Sequence, residues 1–320
     1  MRHLDIVTCV SNPIGWESRI RLARDAILSW LQEPEVRVTL VRCAHGGRAH
    51  DLDDLRGHDR LSLVDVRATT LAWNKENLLN IGVSRLSPDA AHIGTFDADV
   101  TWRAPGWAAQ TLHALDLYPV IQPWSQALDL GPRGEVIATH KSFAALYHAG
   151  KPVGPHHPPK PDPHHHHHPI PPYEFAHPGF AWAWTRDALD RVGGLFELGA
   201  IGSGDHHMAL AIAGKVEESL PGEHLGSYAD AARRWAKSAQ AHINGKLGFV
   251  TATIEHRFHG RKERRGYQSR WGMFLRHHFD PLPDLKRNSF GVIEFAGNKP
   301  ELEREFDRYL RARAEDDNGL

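Results

Sequence analysis

The first hundred residues alternate short apolar runs with segments of helical periodicity, and this alternation constrains the fold more than any other feature of the sequence. Apolar runs at residues 4–10, 35–42 and 61–66 predict strands. Large apolar residues recur from 16 to 30 at the spacing of an amphipathic helix, and a further helix is predicted over 74–86. Strands and helices that alternate in this way predict an α/β fold with a mostly parallel sheet and helices on its faces.

A stretch of low complexity interrupts the later part of the chain. Residues 151–172 are almost entirely proline, histidine and polar residues, which cannot bury a core, so we predict a mobile loop there. Its five consecutive histidines suggest metal binding, but a loop without fixed geometry accounts for them better. We expect one large unit over residues 1–255, followed by a segment at 256–320 with a basic cluster and helices at 267–277 and 300–313.

Composition excludes several kinds of partner. The formal net charge of −1 gives no overall attraction to nucleic acid or to anionic membranes, so phosphate binding has to come from a local basic cluster. Cys9 and Cys43 lie in apolar, strand-like runs, which predicts free buried thiols rather than a disulfide. The sequence shows no signal-peptide core and no run of about 18 apolar residues. We therefore expect no transmembrane segment and a cytoplasmic protein.

A pair of carboxylates follows the next apolar run, at 91–96. Asp97 and Asp99 stand one residue apart at the end of this predicted strand, where they repel each other unless a cation or hydrogen-bond donors lie between them. Ligands of α/β sheets bind beyond the carboxyl ends of the strands, and Mg²⁺ and Mn²⁺ prefer oxygen ligands. The pair therefore predicts a metal–diphosphate site. Taken alone, such a common pair is better explained by one carboxylate that caps the next helix and one that faces solvent.

Asp205 is a candidate general base. It follows the loop Gly202-Ser203-Gly204, whose glycines let the backbone approach a ligand closely. The alternative is a tight turn in which Asp205 is the N-cap of a helix over 206–213. Both interpretations can hold, because a carboxylate at a helix start stays ionised.

Two histidines, His256 and His259, end the predicted strand at 247–254. They would point to opposite faces of an extended backbone but share one face of a helical turn. One imidazole beside two carboxylates, phosphate oxygens and water would complete a Mn²⁺ site. A basic cluster follows and could hold a diphosphate, although a solvated helix face explains it equally well. Its members are Arg261, Lys262, Arg264, Arg265 and Arg270.

Taken together, these motifs resemble nucleotide-sugar glycosyltransferases of the GT-A fold, of the β-1,4-galactosyltransferase and polypeptide N-acetylgalactosaminyltransferase type. The matching stretches are NKENLLNIG at 74–82, FDADV at 96–100, GGLFE at 193–197, GSGD at 202–205 and the histidine pair. The loop continues as His-His after Asp205, where the family has further acids. The segment that follows Gly260 resembles uncharacterised bacterial and phage family-2-like glycosyltransferases with an HG-basic-Arg-x-Tyr segment.

The resemblance implies a GT-A (Rossmann-like) fold, with a mostly parallel central sheet flanked by helices and a helical C-terminal extension. It implies a Mn²⁺- or Mg²⁺-dependent, inverting transfer of a sugar from a nucleotide diphosphate sugar, UDP-linked by expectation, to a hydroxyl of a saccharide, glycan or natural product. Asp205 would be the catalytic base. Metal binding would fall to Asp97, Asp99 and one of His256 and His259. Donor binding would involve Asn12, Pro13, Lys75, Asp97, Arg261 and Arg265, and Trp182 and Trp184 would line the sugar pocket or belong to the core.

Two other functions remain open at this point. A nucleotidyltransferase that makes the nucleotide sugar usually carries a glycine-rich phosphate loop with a lysine after the first strand. Residues 11–15 contain one glycine and no lysine, which disfavours that function. The histidine-rich stretch would instead suit a non-catalytic protein that binds metal or sugar.

Overall fold

The computed structural model describes residues 2–154, 175–220, 226–266 and 270–317. The predicted mobile loop lies outside the described residues from position 155 onwards. The strands are β1 Leu4–Ser11, β2 Val36–His45, β3 Leu61–Ala68, β4 His92–Phe96, β5 Val100–Trp102, β6 Val120–Gln122, β7 Gln126–Leu130, β8 Val136–Ser142, β9 Ala176–His177, β10 Ala181–Thr185, β11 Leu247–Phe249, β12 Thr253–His256, β13 Leu285–Arg287 and β14 Ile293–Phe295.

The helices follow the predicted pattern in the first half of the chain and add further elements after it. They are α1 Glu17–Trp30, α2 Lys75–Val83, α3 Trp107–Ala114, α4 Phe143–His148, α5 Arg186–Arg191, α6 Gly204–Ile212, α7 Ser227–His242, α8 Arg270–Arg276, α9 Pro281–Asp284 and α10 Pro300–Ala312. Helix α2 ends three residues before the predicted boundary at Leu86, because the amides of Arg85 and Leu86 bond only three residues back. No described helix is long and apolar enough to cross a membrane.

A central sheet organises the described chain, in the order β11-β6-β10-β4-β1-β2-β3. Within it, β1 pairs in parallel with β2 and β4, β2 with β3, and β11 with β6. Strand β10 is antiparallel to both of its neighbours. The predicted α/β class, with a mostly parallel central sheet flanked by helices, is confirmed.

Both faces of this sheet are buried, as expected for parallel strands. On one face Val7 packs with Leu78 of α2, and on the other Ile6 packs with Ile27 of α1. Gly82 lets α2 lie close to β1, because a Cβ atom at this position would be 2.3 Å from Val7 Cγ1. The sheet therefore holds the start of α2 beside the carboxyl ends of β1 and β4.

A second sheet, in the order β5-β12-β7-β8-β9, was not predicted from the sequence. The single strand expected at 247–254 is wrong, since the chain forms β11 in the central sheet, breaks, and then forms β12 in the second sheet. Strand β12 is antiparallel to β5 and parallel to β7, which sets His256 opposite Val100 and Asp129. The break in the strand thus brings His256 to the region of Asp99.

The segment after His256 packs onto the same core as the central sheet. Leu302 and Phe306 of α10 are fully buried, together with Phe295 of β14, in the cluster that contains Val7. Cys9 and Cys43 are free thiols, as predicted.

We expect His207 of α6 to make the fold sensitive to acid. It lies among the rings of Phe196, Tyr228 and Trp271, and burial lowers its pKa to about 3. Between pH 6.5 and pH 3, His207 is protonated in the unfolded chain but stays neutral in the folded chain, because the ordinary histidine pKa is about 6.5. The free energy of unfolding therefore falls as the pH falls from about 6.5 towards 3.

This group alone accounts for up to about 1.4 kcal/mol of unfolding free energy per pH unit in that window. Chemical denaturation between pH 7 and pH 4 should therefore show a shallower acid slope for His207→Gln than for the unchanged chain. His58→Gln, at an exposed position, is the control and should keep the full slope. An unchanged slope in His207→Gln would contradict this assignment.

Candidate active site and metal centre

A cavity of about 820 Å³ lies beyond the carboxyl ends of β1 and β4. It is bounded by the start of α2, the start of α6 and the segment that follows β12. Predicted site residues line it from five separate parts of the chain, namely Pro13, Lys75, Asp97, Asp99, Asp205, His256, His259 and Arg265. This is the edge of a parallel sheet where α/β proteins bind their ligands.

Asp99, His256 and His259 form a candidate metal site in the lining of this cavity. Asp99 Oδ2 lies 3.0 Å from His259 Nε2 and 3.6 Å from His256 Nε2, and the two Nε2 atoms are 3.3 Å apart. Neighbouring ligands around an ion with bonds of about 2.1 Å are separated by roughly 3.0–3.4 Å. Asp99 Oδ1 is shielded from solvent and has no hydrogen-bond partner among the described residues. The three side chains therefore fit a divalent cation.

The local backbone explains why both histidines face the same point. His256 ends β12, and the amide of Arg257 donates to Asp99 O at 3.2 Å, which ties the turn to the carboxylate segment. The chain then leaves the strand direction and reaches Gly260, which has a φ of +80°. His259 is thereby folded back towards Asp99. The sequence left open which histidine binds metal, and the structure places both Nε2 atoms at ligand separations.

Asp129 of β7 supports the site from behind. Its side chain is buried, its Oδ1 lies 2.8 Å from His256 Nδ1, and its Oδ2 contacts His140 and Lys262. Burial disfavours charge on His256, but Asp99 and Asp129 raise its pKa to about 9. The two carboxylates thus require positive charge between them, which a proton or a divalent cation supplies. Asp129 was not among the predicted site residues. Its position as the one acid between the apolar residues Leu128 and Leu130 was the available signal.

Arg265 connects the candidate metal site to the basic cluster. Its Nη2 donates to His259 Nε2 at 3.0 Å, so the guanidinium and a metal would compete for the same lone pair. Lys262 and Arg265 line the cavity, whereas Arg261 is exposed and lies outside the lining. Arg270 also lines it and donates to Ser203 Oγ at 2.6 Å.

Lys75 is the centre of a second group of charged residues in the cavity lining. Its Nζ donates to Asp97 Oδ1 at 3.0 Å and lies 3.6 Å from Glu76 Oε1. Asp97 Oδ1 is therefore paired with the lysine. Among the described residues, the atoms that converge as possible metal ligands come from Asp99, His256 and His259. Burial raises the pKa of Asp97, with Asp99 and Asp205 adding to the effect and Lys75 opposing it.

Asp205 lies in the first turn of α6, and Ser203 occupies the N-cap position with a φ of +74°. The interpretation of Asp205 as the N-cap is therefore wrong, because the helix begins at Gly204, two residues earlier than predicted. Asp205 Oδ1 accepts a hydrogen bond from its neighbour's amide, His206 N, at 2.8 Å. Burial opposes the charge of Asp205, but Lys75, His177 and this amide lower its pKa below the ordinary value. Asp205 is thus an ionised carboxylate at neutral pH.

Glu76 is a second carboxyl group that sequence analysis missed. It is buried beside Gly204, where a Cβ atom would lie 2.6 Å from Glu76 Cδ, so a larger residue at position 204 would displace the Glu76 carboxyl group. Burial raises the pKa of Glu76 to about 7, against the opposing charge of Lys75. No local signal marked it, since an acid in the first turn of a helix is ordinary.

The remaining predicted residues have structural contacts. Asn12 accepts hydrogen bonds from Gly15 N at 3.2 Å and Trp16 N at 2.9 Å, so its amide shapes the loop after β1. Trp182 and Trp184 are buried in the core and lie outside the cavity lining.

Comparisons with known proteins add a set of distant structural similarities. No family model matches the chain, and no curated protein matches it. A mannosyltransferase from Pyrobaculum calidifontis in complex with GDP-Man and Mn²⁺ is 15% identical, with a TM-score of 0.46 over 98% of this chain and 74% of that one. The catalytic domain of Drosophila β1,4-galactosyltransferase 7, in complex with xylobiose, is 12% identical, with a TM-score of 0.41 over 94% and 99%.

A 4-diphosphocytidyl-2C-methyl-D-erythritol synthase from Anaerococcus prevotii is 9% identical, with a TM-score of 0.34 over 78% of this chain and 87% of that one. At these identities and TM-scores, structural similarity assigns no activity to the chain. Any assignment of function has to come from the geometry of its own site.

We predict that the chain binds Mn²⁺ more tightly than Mg²⁺, because two imidazole nitrogens favour a transition metal over the harder magnesium ion. Asp99→Asn and His259→Gln should each weaken Mn²⁺ binding by at least about tenfold, as measured by isothermal titration calorimetry. The control is His113→Gln, an exposed histidine of α3. Equal Mn²⁺ affinities in Asp99→Asn and the unchanged chain would rule out the site.

Proposed function

We propose that the chain is a metal-dependent glycosyltransferase that moves a sugar from a nucleotide diphosphate sugar to a hydroxyl acceptor, with inversion at the anomeric carbon. One observation carries this proposal. A single cavity holds a candidate metal site flanked by cationic side chains and, elsewhere in its lining, an ionised carboxylate on a glycine-bounded turn. The metal site with its cationic neighbours would stabilise the charge on a leaving diphosphate, and the carboxylate would accept the proton of an attacking hydroxyl.

The donor half of the site would be the part of the cavity lining that contains Asp99, His256 and His259. These three ligands would leave further coordination positions open for diphosphate oxygens. A bound Mn²⁺ or Mg²⁺ would supply Lewis acidity that stabilises the negative charge developing on the leaving group. Lys262 and Arg265 line the same wall and can donate hydrogen bonds to phosphate oxygens.

The acceptor half would be the turn that carries Asp205. In the proposed step, the acceptor hydroxyl oxygen forms the new bond to the anomeric carbon, and the bond from that carbon to the diphosphate oxygen breaks. The hydroxyl proton passes to Asp205, and the electron pair of the broken bond leaves with the diphosphate. Lys75 favours the ionised form of Asp205 before this transfer. Attack opposite the leaving group inverts the anomeric centre.

The finer parts of this proposal rest on the sequence resemblance. We propose a UDP-linked donor, an acceptor hydroxyl on a saccharide, glycan or natural product, and a place in the bacterial or phage branch. A cytoplasmic location is part of the same proposal, and the two free thiols suit a reducing compartment.

The decisive experiment incubates the protein with Mn²⁺ and a panel of nucleotide diphosphate sugars, and follows release of the nucleoside diphosphate. We expect release from one donor class, dependence on the metal, and loss of release in Asp99→Asn. A nucleotidyltransferase would instead form pyrophosphate from a nucleoside triphosphate and a sugar phosphate. A non-catalytic binding protein would bind a donor without releasing nucleotide from it. Either result would overturn the proposal.

Asp205→Asn should lower kcat by about 10²–10⁴-fold, because a general base acts mainly in the transition state. Donor affinity, measured by calorimetry with Mn²⁺ present, should stay close to that of the unchanged chain. Asp187→Asn, at an exposed position of α5, is the matched control and should keep the full rate. If Asp205→Asn weakened donor binding as much as turnover, Asp205 would be a binding residue and not the base.

A further inference from the structure

The segment at 313–317 returns to the candidate metal site after α10. Glu315 is only 2% exposed, although it follows an amphipathic surface helix. The turn beyond His259 is shaped to receive it. Gly260 has a φ of +80°, and a Cβ atom there would lie 3.0 Å from Glu315 Cα and 3.1 Å from Ala314 O. The two backbone segments can approach this closely only with glycine at 260.

Two guanidinium groups hold the Glu315 carboxylate in place. Arg19 donates from Nε at 3.0 Å and from Nη2 at 2.7 Å, and Arg313 Nη2 lies 2.8 Å from Oε1. Burial opposes this charge, but the arginines and His259 keep the pKa of Glu315 well below its ordinary value. A paired and buried carboxylate of this kind is a fixed negative charge with little freedom to rotate.

Glu315 Oε2 lies 3.4 Å from His259 Nδ1, on the side of the ring opposite the candidate metal site. Asp129 has the same relation to the other imidazole, with its Oδ1 at 2.8 Å from His256 Nδ1. A neutral imidazole has one N–H group and one lone pair, so a carboxylate at Nδ1 leaves the Nε2 lone pair for a metal. Each candidate histidine ligand is thus backed by its own carboxylate.

We propose that Glu315 is a positioning residue of the metal site, which acts through His259 as Asp129 acts through His256. Residues 313–317 are then part of the metal-binding unit and not a mere continuation of α10. Carboxylates that support ligating histidines fix the ring orientation and raise the basicity of the ligand. This inference rests on the proposed function in one respect, namely that the ion bound at this site is the metal of the proposed reaction.

The neighbouring acid has a different contact, which provides a matched control. Asp316 accepts hydrogen bonds from Glu17 N at 3.0 Å and Ser18 N at 2.8 Å, so it caps the start of α1. It belongs to the same segment as Glu315 and carries the same charge, but no contact joins it to either histidine in the described structure. Asp316→Asn therefore tests attachment of the segment without removing the carboxylate behind His259.

The test measures binding of Mn²⁺ alone, without donor, by calorimetry and by the electron paramagnetic resonance signal of the free ion. Glu315→Gln should bind Mn²⁺ about 10–100-fold more weakly than the unchanged chain, and Asp129→Asn should show a comparable loss. Asp316→Asn should keep the Mn²⁺ affinity of the unchanged chain while its Tm falls with the weakened helix cap. Circular dichroism confirms that each variant is folded.

The inference is overturned if Glu315→Gln binds Mn²⁺ as tightly as the unchanged chain, or if the unchanged chain binds none. If Glu315→Gln does not fold, Glu315→Asp keeps the charge one methylene further from His259, and an unchanged affinity in that variant also overturns it. Nucleotide release is not part of this measurement. If Mn²⁺ affinity depends on Glu315 but no nucleotide is released from any donor, the proposed function is wrong and this inference still holds.

Discussion

The Asp99 carboxylate lies against two buried imidazoles, those of His256 and His259. Without a positive charge beside it, a carboxylate in such surroundings would destabilise the fold by several kcal/mol. Much of the structure around the cavity supplies or orients positive charge near carboxylates. Asp97 is paired with Lys75, and Asp129 is paired with His140, His256 and Lys262. The candidate site is therefore a network of opposite charges, and removing one member leaves its partners uncompensated.

The central sheet provides the rigid frame for this network. Its inner strands are buried on both faces, and the charged side chains that it contributes to the candidate site come from the loops and helix starts at one edge. The second sheet then adds a second wall, because β7 and β12 lie side by side and set Asp129 next to His256. A site built in this way has rigid elements behind each candidate metal-binding side chain and an open cavity in front of it.

Sequence reasoning succeeded where the signal was local. Periodicity identified β1 to β4 and the helices between them, and the resemblance drew attention to Asp99, Asp205 and the histidine pair. It missed β7 and β8, which pair with each other as an antiparallel hairpin, and β9, which pairs with β8 across the segment at 143–175. The pairing of β7 with β12 and of β8 with β9 is set by tertiary packing, which a window of neighbouring residues does not contain.

The supporting carboxylates were missed for the same reason. Asp129 and His256 are 127 positions apart, and Arg19 and Glu315 are 296 apart. Nothing in the residues next to Glu315 distinguishes it from an acid on a solvated surface. Only the return of the chain past Gly260 makes it a buried group beside His259.

The long return of the chain also sets an order of assembly during synthesis. Strands β1 to β4 and the first carboxylate pair are complete by residue 99, and they can pair as soon as they leave the ribosome. The imidazoles arrive more than 150 residues later, and Glu315 later still. Before residue 256 is synthesised, Asp97 can already pair with Lys75, whereas Asp99 still lacks both of its histidine partners. On the ribosome, strands β1 to β4 can therefore pair well before the candidate metal-binding side chains are all present.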